Sequence, residues 1–252
     1  MKPTGVLHGA VTAESGPQSL SDAITNACES VSHNLAGQKL GRKGRFTRER
    51  ILAATIELLE GPEEESISLS AVARKSSLGL TSLYNYFTDL TELLLAVLEP
   101  VMATAEDAYI GQLRERWPDE ELGEQCSRWL KAYYDFWCLH SRLLHLRNSM
   151  SDNRDERMMF HRVRSTQPVI LLFAQQMDGQ AEEAADTPAY AMATVLMTGI
   201  ERTVTVATDS RFTDLFGTGK RFDAEHYLEP EARLMELAIR DTRKKMASGG
   251  YS

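Results

Sequence analysis

Apolar positions recur at helical spacing along most of the chain, and no stretch alternates apolar and polar residues as a half-buried strand would. Over residues 47–59, Ile51, Leu52, Thr55, Ile56, Leu58 and Leu59 share one stripe, with Thr47 as the expected N-cap and Gly61-Pro62 as the stop. Ser68 is placed to cap a second helix reaching about Lys75 and burying Leu69, Val72 and Ala73. Residues 76–79 read as a turn and 80–87 as a short third helix. Thr88 or Asp89 then caps a longer helix that opens with Leu90, Leu93 and Leu94. Pro100 is expected to kink or split that helix, and Pro118 marks the next boundary. Further helices are expected over about 119–140, 141–147, 152–177 (with a kink at Pro168), 187–208 and 224–245. The expected fold class is all-α.

Three segments follow. Residues 1–40, rich in Ser, Thr, Gly and Ala, read as a flexible N-terminal extension, with a helical spacing at Leu20, Ile24, Ala27, Val31 and Leu35. Residues 41–94 form a three-helix helix-turn-helix head, introduced by GRKGR as a flexible basic arm. Residues 95–252 form a larger helical body.

The head carries the chemistry. A helix over 80–87 is too short to be stable alone, so packing must hold it. Leu83 and Phe87, four apart, point to a small core, which leaves Thr81, Ser82, Asn85 and the hydroxyls of Tyr84 and Tyr86 for another surface. Hydroxyl, amide and aromatic groups on a short helix suit a DNA major groove. Side chains near the N-terminus of such a helix meet base edges, and its dipole favours phosphate. Asn85 can bond an adenine edge in two places, and Leu80 can meet a thymine methyl.

A net charge of −8 does not by itself suit a DNA binder, but the distribution does. Residues 41–94 hold seven Lys/Arg against eight Asp/Glu. Of these bases, Arg42, Lys43, Arg45, Arg48 and Arg50 crowd into ten residues, while Arg74 and Lys75 make a second cluster. A basic stripe on an acidic particle binds phosphate and repels DNA in wrong orientations, with steep salt dependence. The three cysteines (Cys28, Cys126, Cys138) are far apart and show neither zinc spacing nor a disulfide framework, which suits a reducing compartment. No apolar run approaches a membrane span, and a cytoplasmic location is expected.

Residues 46–94 resemble the DNA-binding domain of TetR-family bacterial transcriptional regulators. The resemblance rests on RERIL at the start of the first helix, Ala53-Ala54, LSAVA in the second and LYNYF at the end of the third. It implies a homodimer on a palindromic double-stranded operator, with Tyr84 and Tyr86 holding phosphate oxygens. Arg42, Lys43, Arg45, Ser68, Gly79, Leu80, Thr81, Ser82, Tyr84, Asn85 and Tyr86 form the expected DNA-binding set. The chain departs from the family pattern at Ser77, where a glycine is usual, and at Leu90, where a lysine is. It departs also at Tyr86, more often a histidine, and at Leu80, more often polar or basic.

The resemblance further implies that the body encloses a small-molecule cavity and that its last two helices build a four-helix dimer interface. Ala189, Ala191, Ala193, Thr194 and Gly199 are small enough for close helix approach, and Leu228, Leu234, Leu237, Ala238 and Ile239 supply an apolar face. Aromatic residues spread around the helix holding WLKAYYDFWCLH make Trp129, Tyr133 and Trp137 candidate pocket residues, against the alternative that they are ordinary core. Arg147, His161, Arg164 and Arg202 could counter an anionic effector. No P-loop, GxGxxG, GxSxG or HExxH motif is present, so neither catalysis nor a cofactor or metal is expected. Control by a protein partner, and activation instead of repression, remain open alternatives.

Overall fold

The computed structural model describes residues 41–62, 66–179, 187–211 and 224–248. The helical spacing at 20–35 lies outside them. The fold is all-α, with no strand among the described residues.

Three helices form the head: α1 (Arg42–Glu60), α2 (Leu69–Lys75) and α3 (Leu80–Leu83). α1 begins five residues before the expected Thr47 cap. Gly41 is its N-cap, the N–H of Arg45 donates to the Gly41 carbonyl, and the Thr47 hydroxyl donates to the Lys43 carbonyl from inside the helix. GRKGR is therefore the first turn of α1 and not a flexible arm. The pattern misleads because this turn has no apolar stripe to announce it; the helix propagates through it from the anchored Ile51–Leu59 end. Gly61 ends α1 as expected, and Ser68 caps α2 by accepting from the Ala71 N–H.

α3 is shorter than the expected helix. Regular α geometry covers Leu80–Leu83, and tighter turns follow, in which the N–H groups of Asn85 and Tyr86 donate to the carbonyls of Ser82 and Leu83. Leu83 (0% exposed) and Phe87 (1%) still reach the head core with Ile51, Leu52, Ile56 and Val72.

α4 (Leu90–Ala103) joins head to body. Asp89 caps it by accepting from the Glu92 N–H, and Glu92 accepts in return from both the N–H and the hydroxyl of Thr88. The helix runs unbroken through Pro100 and stops three residues later, so the proline neither splits it nor ends it at once. A π-helical turn (Glu106–Ile110) and a 3₁₀ turn (Gly111–Leu113) lead to α5 (Leu122–Leu139) and α6 (Ser141–Asp152), which is five residues longer than expected. α7 (Glu156–Met177) starts at its Asp155 cap, after a reversal at Arg154 with φ of 69°, and continues past Pro168. α8 (Pro188–Ala207), capped by Thr187, and α9 (Ala224–Ala247) complete the body.

One apolar core runs through head and body. α1 packs on α2, α4 and α6; α7 packs on α4, α6, α8 and α9; α5 lies against α9. The expected division at residue 94 falls within α4, so this helix belongs to both parts. No described helix is long and apolar enough to cross a membrane.

Candidate nucleic-acid interface and body groove

The turn between α2 and α3 determines how α3 is presented. The Leu78 N–H donates to the Ala73 carbonyl and the Ser77 N–H to the Arg74 carbonyl. This paired pattern needs a left-handed residue between them, and Ser77 supplies it with φ of 53°. Ser77 thus performs the backbone task for which glycine is usual. Gly79 has an ordinary φ of −69° and serves as the extended N-cap of α3.

With Leu83 and Phe87 buried, Leu80, Thr81, Ser82, Tyr84 and Asn85 are exposed, whereas Tyr86 is half-buried against the core. Arg42, Lys43 and Arg45 are exposed on the first turn of α1. The guanidinium of Arg48, one turn further along, lies 5.3 Å from the ring centroid of Phe87, which ties the basic end of α1 to the end of the α3 segment. Ser68 is half-buried and its oxygen is engaged as a cap. Lys75 pairs with Glu57 at 3.1 Å, so the second basic cluster is partly neutralised.

The aromatic residues of α5 are core. Trp129 stacks on Tyr133 at 5.2 Å and meets the edge of Phe173 at 4.6 Å, and Tyr109 packs edge-on against Trp129, Tyr133 and Phe136. The gap bordered by Tyr109, Tyr133, Phe136 and Trp137 is about 10 Å³, room for one water at most. Trp129, Tyr133 and Trp137 therefore do not line an open cavity. Trp129, Tyr133, Phe136 and Trp137 fall on one stripe of the helix, and stacked and edge-to-face contacts with Tyr109 and Phe173 fill the space against it.

The four basic candidates separate. Arg202 is exposed on α8 and joins none of the others at the groove described next. Arg147 is buried (4% exposed), its guanidinium 5.8 Å from the Trp137 ring. Its Nε donates to Asn148, and Glu201 stands 3.8 Å away. Glu201 also accepts from Asn148 and Arg162, both at 3.2 Å. Burial pulls the Arg147 pKa down, with Glu201 opposing. His161 and Arg164 line a groove of about 570 Å³ between α4 and α7, whose apolar surface includes Leu95, Met102, Ile110 and Phe160. His161 is itself buried, and its Nδ1 has no hydrogen-bond partner. Burial and the charges of Arg147 and Arg164 push its pKa down, against an opposing Glu99, so the ring is neutral near pH 7.

Residues that the sequence pattern did not single out join head to body. Arg157 on α7 donates to Asp89 at 2.8 Å, and the Thr91 hydroxyl donates to Asp155. Arg142 on α6 donates to the carbonyls of Leu58 (2.6 Å), Gly61 and Pro62 (both 3.0 Å), closing the C-terminal end of α1. Of the side chains that make these contacts, Asp89 alone was singled out by the sequence, as a possible cap of α4. Among the described residues no cluster of His, Cys, Asp and Glu could hold a metal ion.

No known family model matches the chain, and no curated protein matches it.

Proposed function

We propose that the chain is a sequence-specific DNA-binding transcriptional regulator, a repressor that acts as a two-fold dimer and leaves a palindromic operator when a small molecule binds its body. The supporting observation is the division of labour on residues 80–87. Leu83 and Phe87 anchor the segment completely, while Leu80, Thr81, Ser82, Tyr84 and Asn85 stand exposed beside a basic helix end. A packed support carrying exposed polar and methyl-reading groups is what base-edge contact requires. The resemblance of residues 46–94 to TetR-type heads points the same way.

Dimerisation is supported by the outer faces of the last two helices. Val195 on α8 is 69% exposed, and Tyr227, Leu234 and Leu237 on α9 are exposed too. Such a face favours burial against a second copy, and a two-fold pair would set two α3 segments about 34 Å or a multiple apart on DNA. Control of the head would pass through α4, because Asp89, Thr91 and the α1 terminus are all held by body residues. A ligand shifts such an equilibrium only by its differential affinity for the two arrangements.

Selection of bound sequences from random duplexes by the purified protein tests this reading. The expected product is an inverted repeat. Recovery of no preferred sequence at low ionic strength would reject it.

A further inference from the structure

Inside the body, beside a groove, lies a buried guanidinium whose counter-ion is shared. Arg147 and Arg162 share the single carboxylate of Glu201, and Arg147 is the buried member of the pair. Arg162 has a second, exposed partner in Asp152, while Glu201 at 3.8 Å is the one carboxylate within ion-pair range of Arg147 among the described residues. A buried guanidinium whose one carboxylate is distant and shared is incompletely compensated, and an incoming anion would add to that compensation.

His161 provides the link to the surface. It lines the α4–α7 groove, its Nδ1 is buried without a partner, and both Arg147 and Arg164 are near enough for their charges to act on it. Met102 and Ser165 border the groove and also the small closed gap at Arg147, so the two spaces are neighbours. Glu99, Glu156 and Arg164 all stand exposed at the groove and are screened alike by solvent and salt, whereas the buried Arg147 behind it is screened less. A groove of about 570 Å³ is within the ordinary range for a small-molecule site.

We infer that the α4–α7 groove is the mouth of a site for a carboxylate with an apolar body, whose head group pairs with Arg164 and His161 at entry and with Arg147 when Met102 and Ser165 move aside. The chain or ring of the ligand would lie on Leu95, Ile110 and Phe160. Neutral His161 has one ring N–H to donate, which suits an anion between two arginines. This deepens the ligand-responsive reading of the body and does not depend on the head binding DNA.

The test uses the purified full chain without DNA. Decanoate, decan-1-ol and decylamine are titrated separately by calorimetry, with tryptophan fluorescence as a second readout. Decanoate should bind about tenfold or more tighter than the alcohol, with the amine weakest. Arg164→Gln and His161→Gln should each weaken decanoate several-fold without changing decanol affinity. Ala103→Trp, at an exposed position on the groove wall, should weaken both. Arg147→Met should remove the preference for acid over alcohol. If that variant does not fold, Arg164→Gln and Ala103→Trp decide the matter. No decanoate binding, equal binding of acid and alcohol, preference for the amine, or indifference to Arg164→Gln and Ala103→Trp would each overturn the site. Because the titration contains no DNA, a failure to select an operator leaves its result intact.

Discussion

Arg157 and Asp89 join two helix beginnings across the head–body boundary. The Arg157 guanidinium lies 2.8 Å from the carboxylate that also caps α4 through the Glu92 N–H. One aspartate thus starts the connecting helix and holds it to α7. Burial alone would raise the Asp89 pKa. The Arg157 and Glu92 hydrogen bonds outweigh it and hold the group below its ordinary value.

Variants at this pair separate capping from clamping. Asp89→Asn keeps a cap and loses the ion pair, and should cost about 0.5 kcal/mol because both partners are nearly half exposed. Asp89→Ala loses both roles and should cost about 1–2 kcal/mol. Thermal unfolding measures the two. Equal costs would show that the cap contributes nothing.

Ser77 occupies a conformation that costs an L-residue about 1 kcal/mol. Ser77→Gly should therefore raise stability by about 0.5–1 kcal/mol, and Ser77→Ala should leave it unchanged or lower. Denaturant melts of the three proteins check the order. A destabilised glycine variant would mean that its gain in unfolded-chain freedom dominates.

His140 is buried with an unpartnered Nδ1, its ring 4.8 Å from that of Phe136, and burial lowers its pKa to about 4. The unfolded chain takes up this proton near pH 6.5, whereas the folded protein resists it until about 4. The stability from this group is complete above pH 6.5, declines as pH falls and levels off below about 4. The loss by pH 5 should be about 2 kcal/mol, and His161 adds in the same direction. Urea melts from pH 7.5 to 4.5 should show this slope, and it should flatten in His140→Leu.

Tyr84 and Asn85 are neighbours with different expected effects. Tyr84→Ala should weaken operator binding across sequences. Asn85→Ala should cost about 1–3 kcal/mol at particular base pairs and relax preference there. Competition binding on a selected operator and its point variants distinguishes them. Indifference of both would reject the role given to α3.

Leu234 and Leu237 are exposed on α9, at 53% and 48%. Replacing either with Glu should leave the monomer folded and move sedimentation from dimer to monomer, since a charge would be buried only in the pair. A wild-type protein that sediments as a monomer at micromolar concentration would reject the interface.

Local signals made the helices legible. The stripe Ile51–Leu59, the Ser68 and Asp89 caps and the anchors Leu83 and Phe87 all lie where neighbour spacing places them, because a helix requires hydrogen bonds and side-chain contacts only three or four residues away. The start of α1 was not legible: its first turn lacks an apolar stripe and depends on propagation from the packed end. The aromatic set on α5 was ambiguous for a different reason. Spacing puts Trp129, Tyr133 and Trp137 on one face of the helix, but does not show whether Tyr109 and Phe173 arrive to fill the space against them.

By itself, then, the order of residues determined an all-α chain, the Ser68 and Asp89 caps and the short polar segment offered outward at 80–87. Tertiary structure decided which bases act together: Arg147, His161 and Arg164 near one groove, Arg202 apart, and Arg142 and Arg157 committed to holding the head. The reason is range. Periodicity reports contacts within a helical turn, whereas a charge far along the chain finds its partner only when long helices pack side by side.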